Sequence, residues 1–168
     1  VTKSYYDDKG GQWAYYEWNA PGSFSVELSG GLVWVLAVGG GSWSYSSASY
    51  LNMGQPGLVN EGLWEFGPGT HTVTVGKKGE QNAPDGTKLG QPSSIGDYGT
   101  QGLVSWGDSY MGRGAKDYND ETGYKSRITG NESEYATGYQ GANVPGRGGR
   151  HDQTTNNPGC VIIAVRID

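Results

Sequence analysis

Phenylalanine and methionine are nearly missing, with two of each in 168 residues. Histidine also occurs twice and cysteine once. A single Cys closes no disulfide within the chain, so the fold stands without internal cross-links. Cys160, beside Val161 and Ile162, reads as a small buried hydrophobe. No apolar run reaches membrane-spanning length, and no signal peptide is visible. The chain opens on Val1 rather than Met, so a longer or processed parent is expected. No window carries the i, i+3, i+4, i+7 apolar pattern of a surface helix. No basic stripe runs through this chain of net charge -5, which argues against nucleic acid as a partner.

What is present is glycine and large aromatics: 31 Gly, 12 Tyr and 6 Trp, with only 34% hydrophobic residues. That balance predicts one domain with a thin core, short strands and long loops. Seven apolar residues run unbroken from Leu32 to Val38, between Gly31 and Gly39-Gly40-Gly41. The run is short and rich in β-branched and aromatic residues, which predicts a central strand buried on both faces. Residues 1–11 are polar and predict a linker or the tail of an upstream segment, leaving 12–168 as the domain. Gln12 to Trp18 predicts a strand, and Asn19-Ala20-Pro21-Gly22 a turn. Ser23 to Leu28 alternates, with Phe24, Val26 and Leu28 inward. Thr70 to Val75 alternates likewise, with His71, Val73 and Val75 on one face.

Residues 39–62 and 76–90 read as loops, with a short strand at Leu63 to Phe66. Ser93 to Gly96 and Gln101 to Trp106 read as further short strands. From Gly107 to Pro158 apolar residues almost vanish, while glycine, charge and tyrosine remain. Cys160 to Ile167 is again continuously apolar and predicts a strand returning beside the central one. The predicted fold is an all-β, jelly-roll-like sandwich of short strands with long glycine- and tyrosine-rich loops.

Several of these stretches resemble the glycine-rich domains found at bacteriophage tail-fibre tips and in bacterial surface adhesins. Pro21 to Leu28 running into Trp34 to Gly41 is similar to the opening of that family. Gly67-Pro68-Gly69-Thr70-His71-Thr72-Val73-Thr74-Val75-Gly76 is similar to its PGxxYTVTVG segment. Ser93 to Gly96 with Leu103-Val104, Ser126 to Gly130 with Tyr135 to Gly138, and Pro158 to Ile163 resemble three later segments in the same order. Where family members carry glycine runs, this chain has Trp43-Ser44-Tyr45, Tyr110 to Tyr124 and Tyr139 to Asn157. A degenerate glycine lattice and specialised loops are therefore expected. The resemblance implies host attachment from a virion or cell surface, outside the cell. The partner it implies is a bacterial surface glycan or outer-membrane protein, and the implied assembly is a homotrimer.

Read from the residues themselves, the aromatic loops are the candidate ligand surface. Trp43, Tyr45, Trp106, Tyr110, Tyr118, Tyr124 and Tyr139 stand among Gly, Ser, Asn and Asp, with Arg147 near by. Rigid aromatic faces stack on sugar C–H groups or on partner side chains at low entropic cost. The competing reading is that these rings pack the loops onto the sandwich. Asp117, Asn119 and Glu121 offer oxygen ligands at alternate positions, the outline of a calcium loop. Thr122 stands where such a loop needs Gly, which favours a solvated acidic loop instead. His71 faces inward, and no nucleophile motif appears. Asp117 with Glu121 is the only pair singled out for glycoside hydrolysis. No enzymatic activity is expected. Two alternatives stay open: a structural self-association module, and a glycan depolymerase.

Overall fold

The computed structural model describes residues 2–6, 12–43, 57–80, 90–100, 123–126, 134–136, 143–148 and 156–166. The described part is all-β. Its strands are β1 (Thr2–Tyr6), β2 (Gln12–Trp18), β3 (Gly22–Leu28), β4 (Gly31–Val38), β5 (Val59–Phe66) and β6 (Gly69–Val75). They are followed by β7 (Ser94–Ile95), β8 (Tyr98–Gly99), β9 (Tyr124–Lys125), β10 (Glu134–Tyr135) and β11 (Cys160–Arg166). A five-stranded sheet has the order β1-β2-β11-β4-β5, and a four-stranded sheet the order β3-β6-β7-β8. β9 and β10 form a separate pair. The strand pairs are antiparallel throughout.

The two continuous apolar stretches became neighbours, β4 beside β11, because each meets apolar side chains on both of its faces. Val33 and Val35 of β4, with Val161 and Ile163 of β11, pack on Leu28, Val73, Val75 and Ile95 of the second sheet. Leu36, Val38, Cys160 and Ile162 point the other way, onto Val59, Tyr135 and Ala136. β11, not β4, is the middle strand of the five. The burial of β4 is also incomplete: Leu32, at its start, is 59% exposed. Alternation in β3 and β6 is as the sequence predicts, with Ser23, Ser25, Glu27 and Thr72 exposed and Leu28, Val73 and Val75 buried. His71 is half-buried, edge-on to Phe66, and its Nε2–H donates to the Gly67 carbonyl at 2.7 Å.

Two expectations change, and a third is not reached. Thr2–Tyr6, read as linker, pairs with β2 and forms an edge of the sheet. β5 starts at Val59 and so absorbs polar Asn60 and Glu61, which the sequence assigned to a loop. The expected strand over 101–106 lies outside the described residues.

The glycine-rich segments also assemble, contrary to the expectation of a degenerate lattice. The N–H groups of Gly39, Gly40 and Gly41 donate in turn to Leu58 O (2.9 Å), Gln91 O (3.0 Å) and Asn157 O (2.9 Å). Three successive donors reach three different segments, so this run bonds outward to its neighbours. Gly79 N returns a bond to Gly41 O, and Gly159 N to Gly76 O, both at 3.0 Å. This lattice caps the end of the sandwich where β4, β6 and β11 meet it. Beyond Gly39-Gly40-Gly41, the glycines bonded into it stand in distant segments, which is why the absence of long glycine runs misleads.

Cys160 is fully buried and free. Burial, and secondarily the charge of Glu17, push its thiol well above the ordinary range. Because the thiolate is the reactive form, native protein is expected to ignore a disulfide reagent at mildly alkaline pH. Denaturation should release one equivalent of thiol; rapid labelling of the native state would contradict this burial.

Candidate functional site

The face of the five-stranded sheet turned away from the second sheet is divided in two. Directly opposed residues in antiparallel strands share a face. One row therefore runs Tyr15, Ala164, Trp34, Leu63 across β2, β11, β4 and β5. The next row toward the lattice is Glu17, Ile162, Leu36, Glu61, and beyond it stand Cys160, Val38 and Val59.

The lattice half is covered. Tyr135 and Ala136 pack there on Leu36, Val38, Val59, Cys160 and Ile162. Glu61 fastens the cover: Tyr124 Oη–H donates to its Oε1 at 2.8 Å, and Ser126 Oγ–H to its Oε2 at 2.5 Å.

The other half is open. Leu32 is 59% exposed and Leu63 48% exposed. Trp13, Tyr15 and Trp34 are half-buried, and Glu65 and Arg166 are exposed. Tyr15 and Trp34 stand two strands apart, about 10 Å, on either side of Ala164, which is fully buried. The exposed part of this half is thus Leu32, Leu63, Glu65 and Arg166, beside the half-buried rings of Trp13, Tyr15 and Trp34. The Trp34 indole N–H is buried and meets no acceptor. Such a surface suits a flat, amphipathic ligand: C–H groups lie against the rings, while hydroxyls reach the charged border.

The loop residues singled out in the sequence fare differently. Trp43 is 6% exposed, so its ring is packing and not open surface. Tyr124 is half-buried, and its hydroxyl is committed to Glu61. Arg147 is half-buried in the lattice, where desolvation lowers its pKa. Tyr45, Trp106, Tyr110, Tyr118 and Tyr139 lie outside the described residues, as do Asp117, Asn119 and Glu121. Among the described residues no His, Cys, Asp and Glu side chains gather as a metal site would require. Trp13, Tyr15 and Trp34 were passed over because strand aromatics read as core. Only the pairing of β2 and β4 with β11 shows that they share one outer face.

Lattice residues that flank the loops do come together. Gly90 N donates to Ser42 Oγ at 3.1 Å, and Asn156 Nδ2 to Gly41 O at 3.1 Å and Gly79 O at 2.7 Å. Ser42, Gly41, Gly79, Gly90 and Asn156 therefore belong to one bonded cluster. No protein family, curated protein or solved structure matches this chain.

Proposed function

We propose that this chain is a receptor-binding domain of the tail-fibre or adhesin type, acting outside the cell on a bacterial surface glycan. The observation that carries the reading is the exposed half of the sheet face, where Leu32 and Leu63 stand among the half-buried rings of Trp13, Tyr15 and Trp34, beside Arg166 and Glu65. A rigid sandwich holds these side chains in register, so little order is lost on binding. The order of motifs shared with glycine-rich fibre-tip domains supports the same reading.

The test is binding of the labelled, purified chain to whole bacteria, with and without free surface polysaccharide. Saturable binding that polysaccharide removes is the expected result. Trp34→Ala should weaken it about tenfold or more, provided Cys160 stays unreactive in the variant. Binding that survives competition would assign a protein receptor instead. A folded chain that binds no host would sink the reading.

A further inference from the structure

β5 is the last strand of its sheet, and among the described residues nothing pairs with its far side. Natural edges are ordinarily blunted by Lys, Pro or a bulge. β5 reads Val59-Asn60-Glu61-Gly62-Leu63-Trp64-Glu65-Phe66, with neither Lys nor Pro; of its two charges Glu61 is held by Tyr124 and Ser126, which leaves Glu65. Its register against β4 runs without a break from Gly31↔Phe66 to Val38↔Val59, so it carries no bulge. Leu63 and Trp64 project to opposite faces of this edge and are 48% and 44% exposed. With Leu32, one strand in, they are the exposed large apolar side chains of the described residues. Apolar exposure on both faces of one bare edge is what strand addition leaves behind when the added strand is removed.

We propose that β5 pairs antiparallel with β5 of a second copy about a two-fold axis, joining two five-stranded sheets into one of ten strands. Self-pairing must match residues of the same face, so the axis passes through a residue. An axis at Leu63 would set Glu61 opposite Glu65 of the other copy twice, like charge against like. An axis at Gly62 would bring the partner onto Asn60. The Asn60 side chain is already engaged, donating to Gly99 O at 3.0 Å and accepting from Tyr98 Oη at 3.2 Å. An axis at Trp64 avoids both. It sets Trp64 on Trp64, Leu63 against the stem of Glu65, and side-chain-free Gly62 against Phe66. Centred on Trp64, β5 can therefore pair with itself without setting like charges opposite each other or disturbing Asn60, and that argues for a second copy over a foreign strand. The axis stands perpendicular to the sheet, so both open half-faces look the same way. Two weak surface contacts would then act as one bivalent contact.

Sedimentation equilibrium of the full chain tests this without any host cell, so it fails or succeeds apart from the glycan reading. The expected mass is that of two chains at micromolar concentration. Leu63→Glu, which faces Glu65 across the axis, should raise the dissociation constant about tenfold or more. The double variant Leu63→Glu/Glu65→Lys should restore association, because opposite charges then face each other. Leu63 is surface-exposed, and an unreactive Cys160 verifies that each variant is folded. A monomer at all concentrations, a trimer, or indifference to Leu63→Glu would each overturn the proposal.

Discussion

Replacing Gly159 by alanine is expected to cost about 3 kcal/mol or more. Gly159 precedes β11 and is buried where the lattice meets the sheet. A Cβ there would strike the carbonyl oxygen of Val38 and lie 2.7 Å from Ser93 Oγ and 2.9 Å from the carbonyl carbon of Gly39. None of these neighbours is free to retreat. Val38 ends β4 and is paired with Cys160. Ser93 Oγ accepts from Gly76 N at 2.8 Å, and Gly159 N itself donates to Gly76 O. Relief would require β4 and β11 to part. Since domains are commonly stable by only about 5–15 kcal/mol, the variant should melt roughly 10 °C lower. Gly67→Ala is the control: nothing lies within 4 Å of its added methyl, and its midpoint in urea should hardly move. Equal behaviour of the two variants would mean that the close approach at Gly159 is not real.

The second large effect is expected at Asn156. Its side chain is 1% exposed, and its Nδ2 donates to two carbonyls in two segments, Gly41 and Gly79. Its Oδ1 accepts nothing, so the amide NH₂ alone accounts for the residue's polar contribution. Asn156→Ala removes both bonds and leaves a small void, at a combined cost of about 3 kcal/mol. Asn156→Asp should be worse, because it turns a double donor into a negative charge facing two carbonyl oxygens. Urea denaturation monitored by tryptophan fluorescence would rank the three proteins. An Asp variant as stable as the native chain would show that these carbonyls do not depend on Asn156.

The ease of reading each part from sequence followed the range of the interaction that forms it. β3 and β6 were legible because period-2 alternation is local: Phe24, Val26 and Leu28 need only one buried face. β4 and β11 were legible because continuous apolar runs demand burial on two faces. β5 was half-legible, since Asn60 and Glu61 look like loop until Tyr98, Tyr124 and Ser126 supply their hydrogen bonds from far along the chain. β1 was missed because an edge strand needs little apolar character. Trp43 was misplaced for the opposite reason, as a polar local sequence gave no hint of its burial. The candidate site was invisible because it depends on Ala164 lying between Tyr15 and Trp34, a pairing of three separate strands.

The placement of β11 bears on how the molecule comes into being. β11 separates β2 from β4, and its Val165 pairs with Ala14 and Val33. Neither sheet neighbour can close the gap with the other, so the five-stranded sheet stays in two pieces until β11 has left the ribosome. During synthesis the apolar flank of β4 therefore waits uncovered, which makes the nascent chain vulnerable to aggregation. Closing so long a loop is slow. Once β11 is inserted, the same topology slows escape, because unfolding must extract a strand bonded along both edges.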